Sequence, residues 1–362
     1  MSVSPGFLTR RSAAVKRTAR ARLPASLFRT HDLPHERRFE AWRESVGVFL
    51  DARLSPQDDP IAFNGEVESY LLDDIVLSRP RAGRQKFDRP ATRIARDGID
   101  HYMIQLFVHG HTDIALDRRS VHGARTQIVG FDLGEVLDSF NADFDILCAL
   151  MPRARLAPLL AHPDGLHGAM PSIESGAGRL LANFLRDLFA SAPELTPPQA
   201  GGAARALPEL VAAAFNGVRF ADGDAPSFAD RALLLRANRF VQARLASPEL
   251  DPDTVGAAMG LSRSALYRLF KEGGGIARYI REQRLRRCFA DLVSCRLDHA
   301  QVAGIGYRWG FTDAAHFSRA FKERFGCTPS EARAGADAVG RRQTSDLRVG
   351  DRRYEEWIAG LA

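Results

Sequence analysis

The sequence has few of the features that membrane proteins and enzymes need. No apolar run approaches the ~18 consecutive residues that a membrane-spanning helix requires. No glycine-rich phosphate loop and no nucleophile motif is present. Only four of the 362 residues are cysteine, and none of them forms a Cys-x-x-Cys pair. We therefore predict no membrane association, no enzymatic activity, no catalytic residue, no metal and no cofactor.

The cysteine content and the N-terminus indicate the cellular compartment. Reduced, mostly buried thiols are the expected state of Cys148, Cys288, Cys295 and Cys327, which is typical of a cytoplasmic protein. Residues 1–30 carry seven Arg or Lys residues and no acid, but no apolar segment of a secretion signal follows them. We predict a disordered basic arm at residues 1–34.

Positive and negative charges are separated along the chain. Residues 31–229 carry 20 Arg/Lys against 28 Asp/Glu, whereas residues 230–334 carry 18 against 11. A basic module joined to an acidic one is typical of a DNA-binding protein with a separate sensor or partner domain.

Two segments in the basic region resemble each other. The first, GLSRSALYRLFKEGGG, starts at Gly260, and the second, GFTDAAHFSRAFKERFG, starts at Gly310. Each predicted helix has an apolar stripe on one side, formed by Leu266, Leu269 and Phe270 or by Phe317, Phe321 and Phe325. The opposite faces carry Ser264, Tyr267, Arg268 and Lys271, or Ala315, Arg319 and Lys322 with His316 at the margin.

A short helix and a glycine turn precede each segment. Start signals at Asp251 and Asp298 open the leading helices, and Ser262 and Thr312 are the predicted N-caps of the second helices. This is the helix-turn-helix pattern, whose second helix fits the major groove of DNA. The segment ARYIREQRLRRCFADLVS predicts a long connecting helix that sets the two units about one DNA turn, roughly 34 Å, apart.

Residues 230–334 resemble the DNA-binding domain of the AraC/XylS family of bacterial transcription regulators. The resemblance rests on the motifs LSRSALYRLFKE, YIREQRLRRC and YRWGFTDAAHFSRAFKERFGCTPSEAR. Members of this family insert the third and sixth helices of the domain into successive major grooves. The resemblance therefore implies base contacts by Ser264, Tyr267, Arg268, Ala315, His316 and Arg319. It also implies that Lys271 and Lys322 lie beside phosphates.

The domain departs from the family pattern at small residues. Gly256, Gly304 and Gly306 stand where helix formers are usual, and each costs up to about 1 kcal/mol relative to alanine in a helix interior. Three consecutive glycines follow the first unit, and Ala332 stands where an aromatic residue is common. These departures predict a less rigid domain.

The acidic half has the pattern of a β-domain followed by helices. Short apolar runs separated by Gly, Asp and Pro extend over residues 61–150. In HYMIQLFV, Tyr102, Ile104, Leu106 and Val108 alternate with His101, Met103, Gln105 and Phe107. The first set predicts core, whereas the second fits either core or a cavity lining. In GAGRLLANFLRDLFAS, the stripe of Leu180, Leu181, Phe184, Leu185 and Leu188 fits either a core helix or a dimer seam.

The segment DGIDHYMIQLFVHGHTDIAL resembles the effector-binding domain of one branch of the same family. The resemblance implies a β-rich pocket for a small molecule and helices used in dimerisation. In the same segment His109, His111 and Asp113 alternate as the metal ligands of a β-barrel enzyme would. However, Gly110 predicts a hairpin turn between the histidines, and no later histidine is placed to complete a ligand set.

Together these patterns predict an α+β protein. An N-terminal β-barrel or sandwich sensor domain, cupin-like and with helices, precedes an all-α domain with two helix-turn-helix units. The predicted division is an arm at 1–34, an effector-binding and dimerisation domain at 35–216, a linker at 217–229, a DNA-binding domain at 230–334 and a tail at 335–362.

The predicted function is sequence-specific, effector-responsive transcriptional activation in the cytoplasm. The predicted partners are double-stranded promoter DNA, RNA polymerase, an unidentified small-molecule effector and a second copy of the chain. The alternatives are a constitutive architectural DNA-binding protein and a metal-dependent β-barrel enzyme fused to a DNA-binding module.

Overall fold

Sheets and helices occupy different parts of the chain. The computed structural model describes residues 22–116, 119–123, 127–218, 228–271, 274–293, 301–334, 351 and 353–361. Two antiparallel sheets with helices form the N-terminal part, and helices alone form the part from residue 228 onward. The predicted α+β layout is thus confirmed. Within the described residues, no helix is both long and apolar enough to cross a membrane.

The larger sheet has six antiparallel strands. In spatial order they are β1 (Ala25–Arg29), β3 (Gly65–Leu72), β4 (Ile75–Ala82), β11 (Phe144–Met151), β6 (Tyr102–His109) and β9 (Ile128–Asp132). The two faces of β6 follow the alternation in its sequence. Tyr102, Ile104 and Leu106 join a core with helices, whereas Met103 and Phe107 join a second core that also contains residues of the smaller sheet.

The smaller sheet has five antiparallel strands. They are β2 (Asp51–Arg53), β5 (Gln85–Arg89), β10 (Leu137–Asn141), β7 (Thr112–Leu116) and β8 (Arg119–Gly123). Side chains from both sheets pack together with helix α1 (Arg38–Val46), whose Trp42 is fully buried and donates a hydrogen bond of 2.7 Å to Gln85 Oε1. The sheets therefore enclose one core between them.

Further helices surround the sheets. They are α2 (Ala91–Asp97), α3 (Arg153–Leu156), α4 (Gly176–Ser191) and α5 (Pro197–Phe215). The leucine-rich stripe of α4 divides between two environments: Leu181 and Leu185 are buried against the six-stranded sheet, but Leu180 is 62% exposed. Helix α4 is therefore a core helix, and Leu180 remains on its outer side.

The C-terminal part is built from helices. They are α6 (Phe228–Arg244), α7 (Pro252–Met259), α8 (Arg263–Leu269), α9 (Ile276–Val293), α10 (Val302–Arg308), α11 (Ala314–Phe325), α12 (residues 329–334) and α13 (Arg353–Gly360). One apolar core joins α6, α7 and α8 to the start of α9, and another joins α10 and α11 to the end of α9. Helix α9 thus belongs to both units, as predicted for the long connecting helix.

The predicted disordered arm at residues 1–34 is wrong for its described part. Residues 25–29 form β1, which pairs with β3, and Phe28 is buried in the core between the sheets. The hydroxyl of Thr30 then accepts a hydrogen bond of 2.8 Å from the backbone N–H of Gly65. Apolar side chains at alternate positions and these backbone bonds order the segment, whereas residues 1–21 lie outside the described residues.

Helix starts agree with the sequence at some positions and differ at others. Ser262 caps α8 as predicted, and Asp251 caps α7. Asp313, not Thr312, caps α11, because its carboxylate accepts hydrogen bonds from the N–H groups of Ala315 and His316. Helix α10 begins at Val302, while the predicted start at Asp298 and the thiol of Cys295 lie outside the described residues, as does most of the predicted linker at 217–229.

Candidate nucleic-acid interface

The first helix-turn-helix unit consists of α7 and α8. Helix α7 ends at Gly260, whose φ of +68° is a backbone conformation that favours glycine. The chain then turns so that Ser262 caps α8 and its side chain accepts from the N–H of Ala265 at 3.3 Å. Leu266 is fully buried against α7 and α9. The turn and this anchor fix which side of α8 faces solvent.

The exposed side of α8 and the turn that follows it carry the residues that the sequence singles out. Ser264, Tyr267, Arg268 and Lys271 are all exposed. Tyr267 is a large aromatic side chain with 39% of its surface exposed, and the Arg263 guanidinium lies 6.0 Å from its ring centre. The predicted polar and apolar faces of the first unit are therefore present in the structure.

The second unit consists of α10 and α11. Gly310, with a φ of +80°, makes the turn, and Asp313 caps α11. Phe317, Phe321 and Phe325 are buried along one side of α11, and their rings contact one another in sequence. Phe289 of α9 packs against this row.

The opposite side of α11 carries Ala315, His316, Arg319 and Lys322, and all four are exposed. Within the described part of the chain, neither Arg319 nor Lys322 has a salt-bridge partner. Arg324 of the same helix differs, because it pairs with Glu135 at 2.5 Å and with Glu282. The cations on the exposed face are thus free to bind an anion, whereas the cation at the end of the helix is already paired.

Helix α9 is held by both units. The guanidinium of Arg284 donates to the backbone oxygens of Leu245 and Ser247, which follow α6, at 3.1 and 2.7 Å. On the other side Trp309, which follows α10, donates from its indole N–H to Asp291 of α9 at 2.8 Å. These contacts fix the position of each unit on the connecting helix.

A cavity of about 60 Å³ lies in the core between the two sheets. Met103 and Gln105 of β6 line it, whereas Phe107 of the same set is fully buried in the core between the sheets. The uniformly apolar set on the other side of β6 packs into core, as the sequence predicts. The mixed set of HYMIQLFV therefore contributes both to the core and to the cavity lining.

The histidines of HGHTD lie at a hairpin rather than inside a barrel. His109 ends β6, Gly110 turns with a φ of +82°, and Asp113 lies on β7. His109 and His111 are exposed. Among the residues that the structure describes, no group of three or more His, Cys, Asp or Glu side chains is placed to hold a metal ion.

Two family models match the chain. A helix-turn-helix domain model matches residues 255–335, which include α8 and α11, and an AraC-binding-like domain model matches residues 42–216, which include most of both sheets. The chain belongs to the AraC/XylS family.

Relatives in this family match either most of the chain or about a quarter of it. The transcriptional activator NphR of Rhodococcus is 25% identical over 329 residues, which cover 86% of this chain and 94% of NphR. The HTH-type transcriptional activator RhaS of Escherichia coli is 35% identical over 91 residues, which cover 25% of this chain and 32% of RhaS. The crystal structure of the AraC-like transcriptional activator CuxR matches with a TM-score of 0.53 at 24% identity over 78% of this chain and 98% of CuxR, which supports a shared fold.

The unusual glycines of this family member differ in their surroundings. A Cβ at Gly304 would meet nothing within 4 Å, whereas a Cβ at Gly306 would lie 2.9 Å from the ring of Phe317. Gly306 therefore allows α10 to approach α11 closely. The loss of rigidity stays a prediction for Gly304, whereas the close packing against Phe317 accounts for Gly306.

We expect Gly304→Ala to raise the free energy of unfolding by up to about 1 kcal/mol, because alanine favours the helix. Gly306→Ala should lower it by about 1–3 kcal/mol, because the methyl group displaces the Phe317 ring. Urea denaturation of both variants measures the difference. Stabilisation by both changes would show that the close approach at Gly306 is not needed.

A group of charged side chains, buried at Asp132 and Arg286, joins the DNA-binding helices to the sheets. We call this group the interdomain charge cluster; it consists of Asp132, Glu135, Arg153, Glu282, Arg286 and Arg324. Arg286 of α9 lies 3.3 Å from a carboxylate oxygen of Asp132, at the end of β9, and 2.8 Å from Glu135. Arg153 pairs with the other oxygen of Asp132. Arg324 of α11 forms a salt bridge with the same Glu135.

The arginines of the cluster control the ionisation of its acids. Burial would raise the pKa of Asp132, but the charges of Arg153 and Arg286 outweigh it and hold the pKa below its usual range. Burial likewise opposes ionisation of Glu282, and the charges of Arg286 and Arg324 outweigh it. Asp132 and Glu282 are therefore ionised at neutral pH, and each is paired with two arginines.

The first unit has its own contact with the N-terminal domain. The side-chain amide of Asn238, on α6, donates to the backbone oxygens of Leu160 and Ala161 at 3.2 and 3.1 Å. Ala161 joins the apolar core of the first unit, and Ala95 of α2 joins that of the second. Both DNA-binding units are therefore attached to the effector-binding domain.

Sequence reasoning did not find the cluster. Asp132 and Arg286 are 154 residues apart, and each stands in a segment without a motif that indicates pairing. One feature of the sequence does indicate part of the cluster: Arg286 stands on α9 between the buried apolar residues Leu285 and Cys288. That signal predicts a buried arginine but not its partners.

Proposed function

We propose that the protein is an effector-responsive transcriptional activator that reads promoter DNA with α8 and α11. The observation that carries this proposal is the repeated arrangement of two helix-turn-helix units, each with a buried apolar side and an exposed polar side. Arg319 and Lys322 form no salt bridge within the described residues, which suits binding to phosphate and base edges. Activation is supported by the names of the relatives NphR, RhaS and CuxR.

The proposal assigns different roles to the exposed side chains. Ser264, Tyr267, Arg268, Ala315, His316 and Arg319 would contact bases. Lys271 and Lys322 would contact phosphates, which adds affinity without sequence preference. The DNA-binding domain would span residues 230–334 and the effector-binding and dimerisation domain residues 35–216, with residues 217–229 as linker and residues 335–362 as tail.

The proposed assembly is a cytoplasmic homodimer that recruits RNA polymerase at the promoter. The exposed Leu180 on the outer side of α4 supports a dimer contact there. An effector would act through the interdomain charge cluster, because Arg286 and Arg324 join α9 and α11 to the sheets that enclose the cavity. Control requires the effector to bind one arrangement of these domains better than another.

Two substitutions on α11 separate base contact from phosphate contact. Arg319→Ala should cost about 1–3 kcal/mol of binding free energy on the cognate site and relax the preference for one base. Lys322→Ala should weaken binding to all sequences and reduce the salt dependence of the binding constant. Fluorescence anisotropy with cognate and random duplexes at several salt concentrations measures both effects.

Arg205→Ala is the control for these substitutions, because it removes the same charge from an exposed position on α5 in the other domain. It should leave both binding constants almost unchanged. If Arg319→Ala lowers cognate and random binding equally, Arg319 contacts phosphate and the assigned role is wrong.

Mapping of genomic fragments bound by the purified protein tests the function as a whole. Sharp peaks that share a motif with two contacts about one helical turn apart are expected for a two-unit reader. Diffuse, salt-sensitive binding that no added metabolite sharpens would instead indicate an architectural protein.

A further inference from the structure

The end of the chain returns to the N-terminal domain. Helix α13 follows the DNA-binding helices, yet Tyr354 and Ile358 are buried in the core between the two sheets. Both residues line the cavity, opposite side chains of the sheets such as Met103, Gln105 and Cys148. The cavity is therefore completed by a segment that lies beyond the DNA-binding domain in sequence.

Hydrogen bonds attach α13 to α1 and β1. The hydroxyl of Ser45, on α1, is bonded to the hydroxyl of Tyr354 and donates to the carboxylate of Glu355 at 2.7 Å. The hydroxyl of Ser26, on β1, donates to the backbone oxygen of Asp351 at 3.1 Å. These bonds involve side chains, whereas the strands β4, β11 and β6 that also line the cavity are joined by backbone ladders.

The cavity contains no charged group among its described lining residues. Its polar side chains are Ser78, Gln105, Ser139, Asn141, Cys148 and Tyr354, and the remaining lining residues are apolar. A carboxylate, phosphate or ammonium group would lose its hydration there without meeting an opposite charge, which is very unfavourable. An uncharged ligand with one or two hydrogen-bonding groups avoids this cost, because an amide or hydroxyl can pair with it.

The cavity is small in this structure. At about 60 Å³ it is well below the volume of roughly 150 Å³ at which an apolar cavity admits benzene. A ligand of that size therefore needs one wall to move. Helix α13 packs on the domain rather than pairing in a sheet, so its displacement would break no backbone ladder.

We propose that this cavity binds an uncharged, largely apolar small molecule and that α13 is the wall that moves to admit it. The inference rests on the proposed function only in identifying that molecule as the effector. It adds the chemical class of the ligand and assigns Tyr354 and Ile358 to its binding site.

Matched pairs of neutral and anionic probes test the ligand class on the full chain. The neutral probes are benzyl alcohol, cyclohexanol and indole, and their anionic partners are benzoate, cyclohexanecarboxylate and indole-3-acetate. Isothermal titration calorimetry should show saturable binding of at least one neutral probe, with its anionic partner at least tenfold weaker. Failure of all three neutral probes to bind the folded protein, or equal binding of the anions, would overturn the proposal.

Two substitutions on α13 test the position of the site. Ile358→Trp places a larger side chain in the cavity and should weaken binding of the neutral probe at least tenfold. Ala359→Trp adds the same indole to the exposed side of the same helix and should change binding less than twofold. Equal effects of both variants would place the ligand elsewhere.

Cys148 reports on the movement of the wall. Burial raises the pKa of this thiol to about 12, so its reaction with N-ethylmaleimide at neutral pH requires opening of the cavity. Mass spectrometry should show faster labelling of Cys148 in Ser45→Ala, which lacks the bonds to α13, and at least tenfold slower labelling when the neutral probe is bound. Unchanged labelling in Ser45→Ala would show that α13 does not control access.

Mobility-shift assays distinguish failure of the cavity proposal from failure of the proposed function. Ile358→Trp should still bind promoter DNA, because α8 and α11 are unchanged. Normal DNA binding without any probe binding would contradict the cavity proposal alone. Probe binding without sequence-specific DNA binding would contradict the proposed function alone.

Discussion

Asp132→Asn is expected to lower the free energy of unfolding by about 3–5 kcal/mol, because it leaves two buried guanidinium groups without their shared counter-charge. The carboxylate of Asp132 is 1% exposed and pairs with Arg153 on one oxygen and with Arg286 on the other. It also accepts a hydrogen bond of 2.8 Å from the N–H of Gly134. Asparagine keeps the size of the side chain but removes the negative charge that both arginines share. Urea denaturation of the full chain measures the loss.

Asp138→Asn is the control for this prediction. Asp138 lies on β10 and pairs with Lys86 at 2.9 Å, but both side chains are nearly half exposed. Exposed pairs contribute about 0–1 kcal/mol, so this variant should remain close to wild type. If both variants lose the same small amount, the interdomain charge cluster does not stabilise the fold.

The same carboxylate predicts how stability depends on pH. Burial opposes its ionisation, but the charges of Arg153 and Arg286 hold the pKa of Asp132 below its usual range in the folded protein. The pKa in the unfolded chain is about 3.9. A depressed folded-state pKa gives stability that is complete above the unfolded pKa and is lost as the pH falls through the folded pKa. Wild type should therefore lose this contribution to stability below about pH 4. The difference in the free energy of unfolding between wild type and Asp132→Asn should become smaller there.

The sequence predicted the parts of the site that depend on local periodicity. The two faces of α11 follow from the spacing of Phe317, Phe321 and Phe325, because a helix brings residues three and four apart onto one side. The faces of β6 follow from its alternation in the same way. Asp251 and Ser262 cap their helices because short polar side chains satisfy the free N–H groups of a first turn.

Features that depend on distant parts of the chain were not predictable from local patterns. The pairing of Asp132 with Arg286 and the return of α13 to the cavity both join segments far apart in sequence. From the local sequence Gly306 is only a poor helix former. The nearby ring of Phe317 explains why a glycine stands at this position. The basic residues around strand β1 are typical of a disordered arm. The strand forms because it pairs with β3, which lies about 40 residues further along the chain.

Phe317→Ala is the second substitution with a large expected effect. Phe317 is fully buried, and its ring lies 5.1 Å from that of Phe311 and 5.7 Å from that of Phe321. Gly306 lies against the same ring, so the helices α10 and α11 meet around this side chain. Truncation to alanine should lower the free energy of unfolding by about 3–5 kcal/mol, because the rings around the resulting cavity are held by their own packing and relax only partly.

Because the Phe317 ring lies between α10 and α11, its removal should affect DNA binding by the second unit only. Because α11 is held to α10 through Phe317, the variant should lose the contacts of the second unit and retain those of the first. Footprinting on the cognate site should then show protection of one half only. Tyr307→Ala is the matched control, since Tyr307 lies on α10 of the same unit but is 53% exposed, and its truncation should change stability by about 0.5 kcal/mol or less. Full protection of both halves by Phe317→Ala would show that α11 keeps its place without this anchor, and the row of phenylalanines would then support stability rather than DNA recognition.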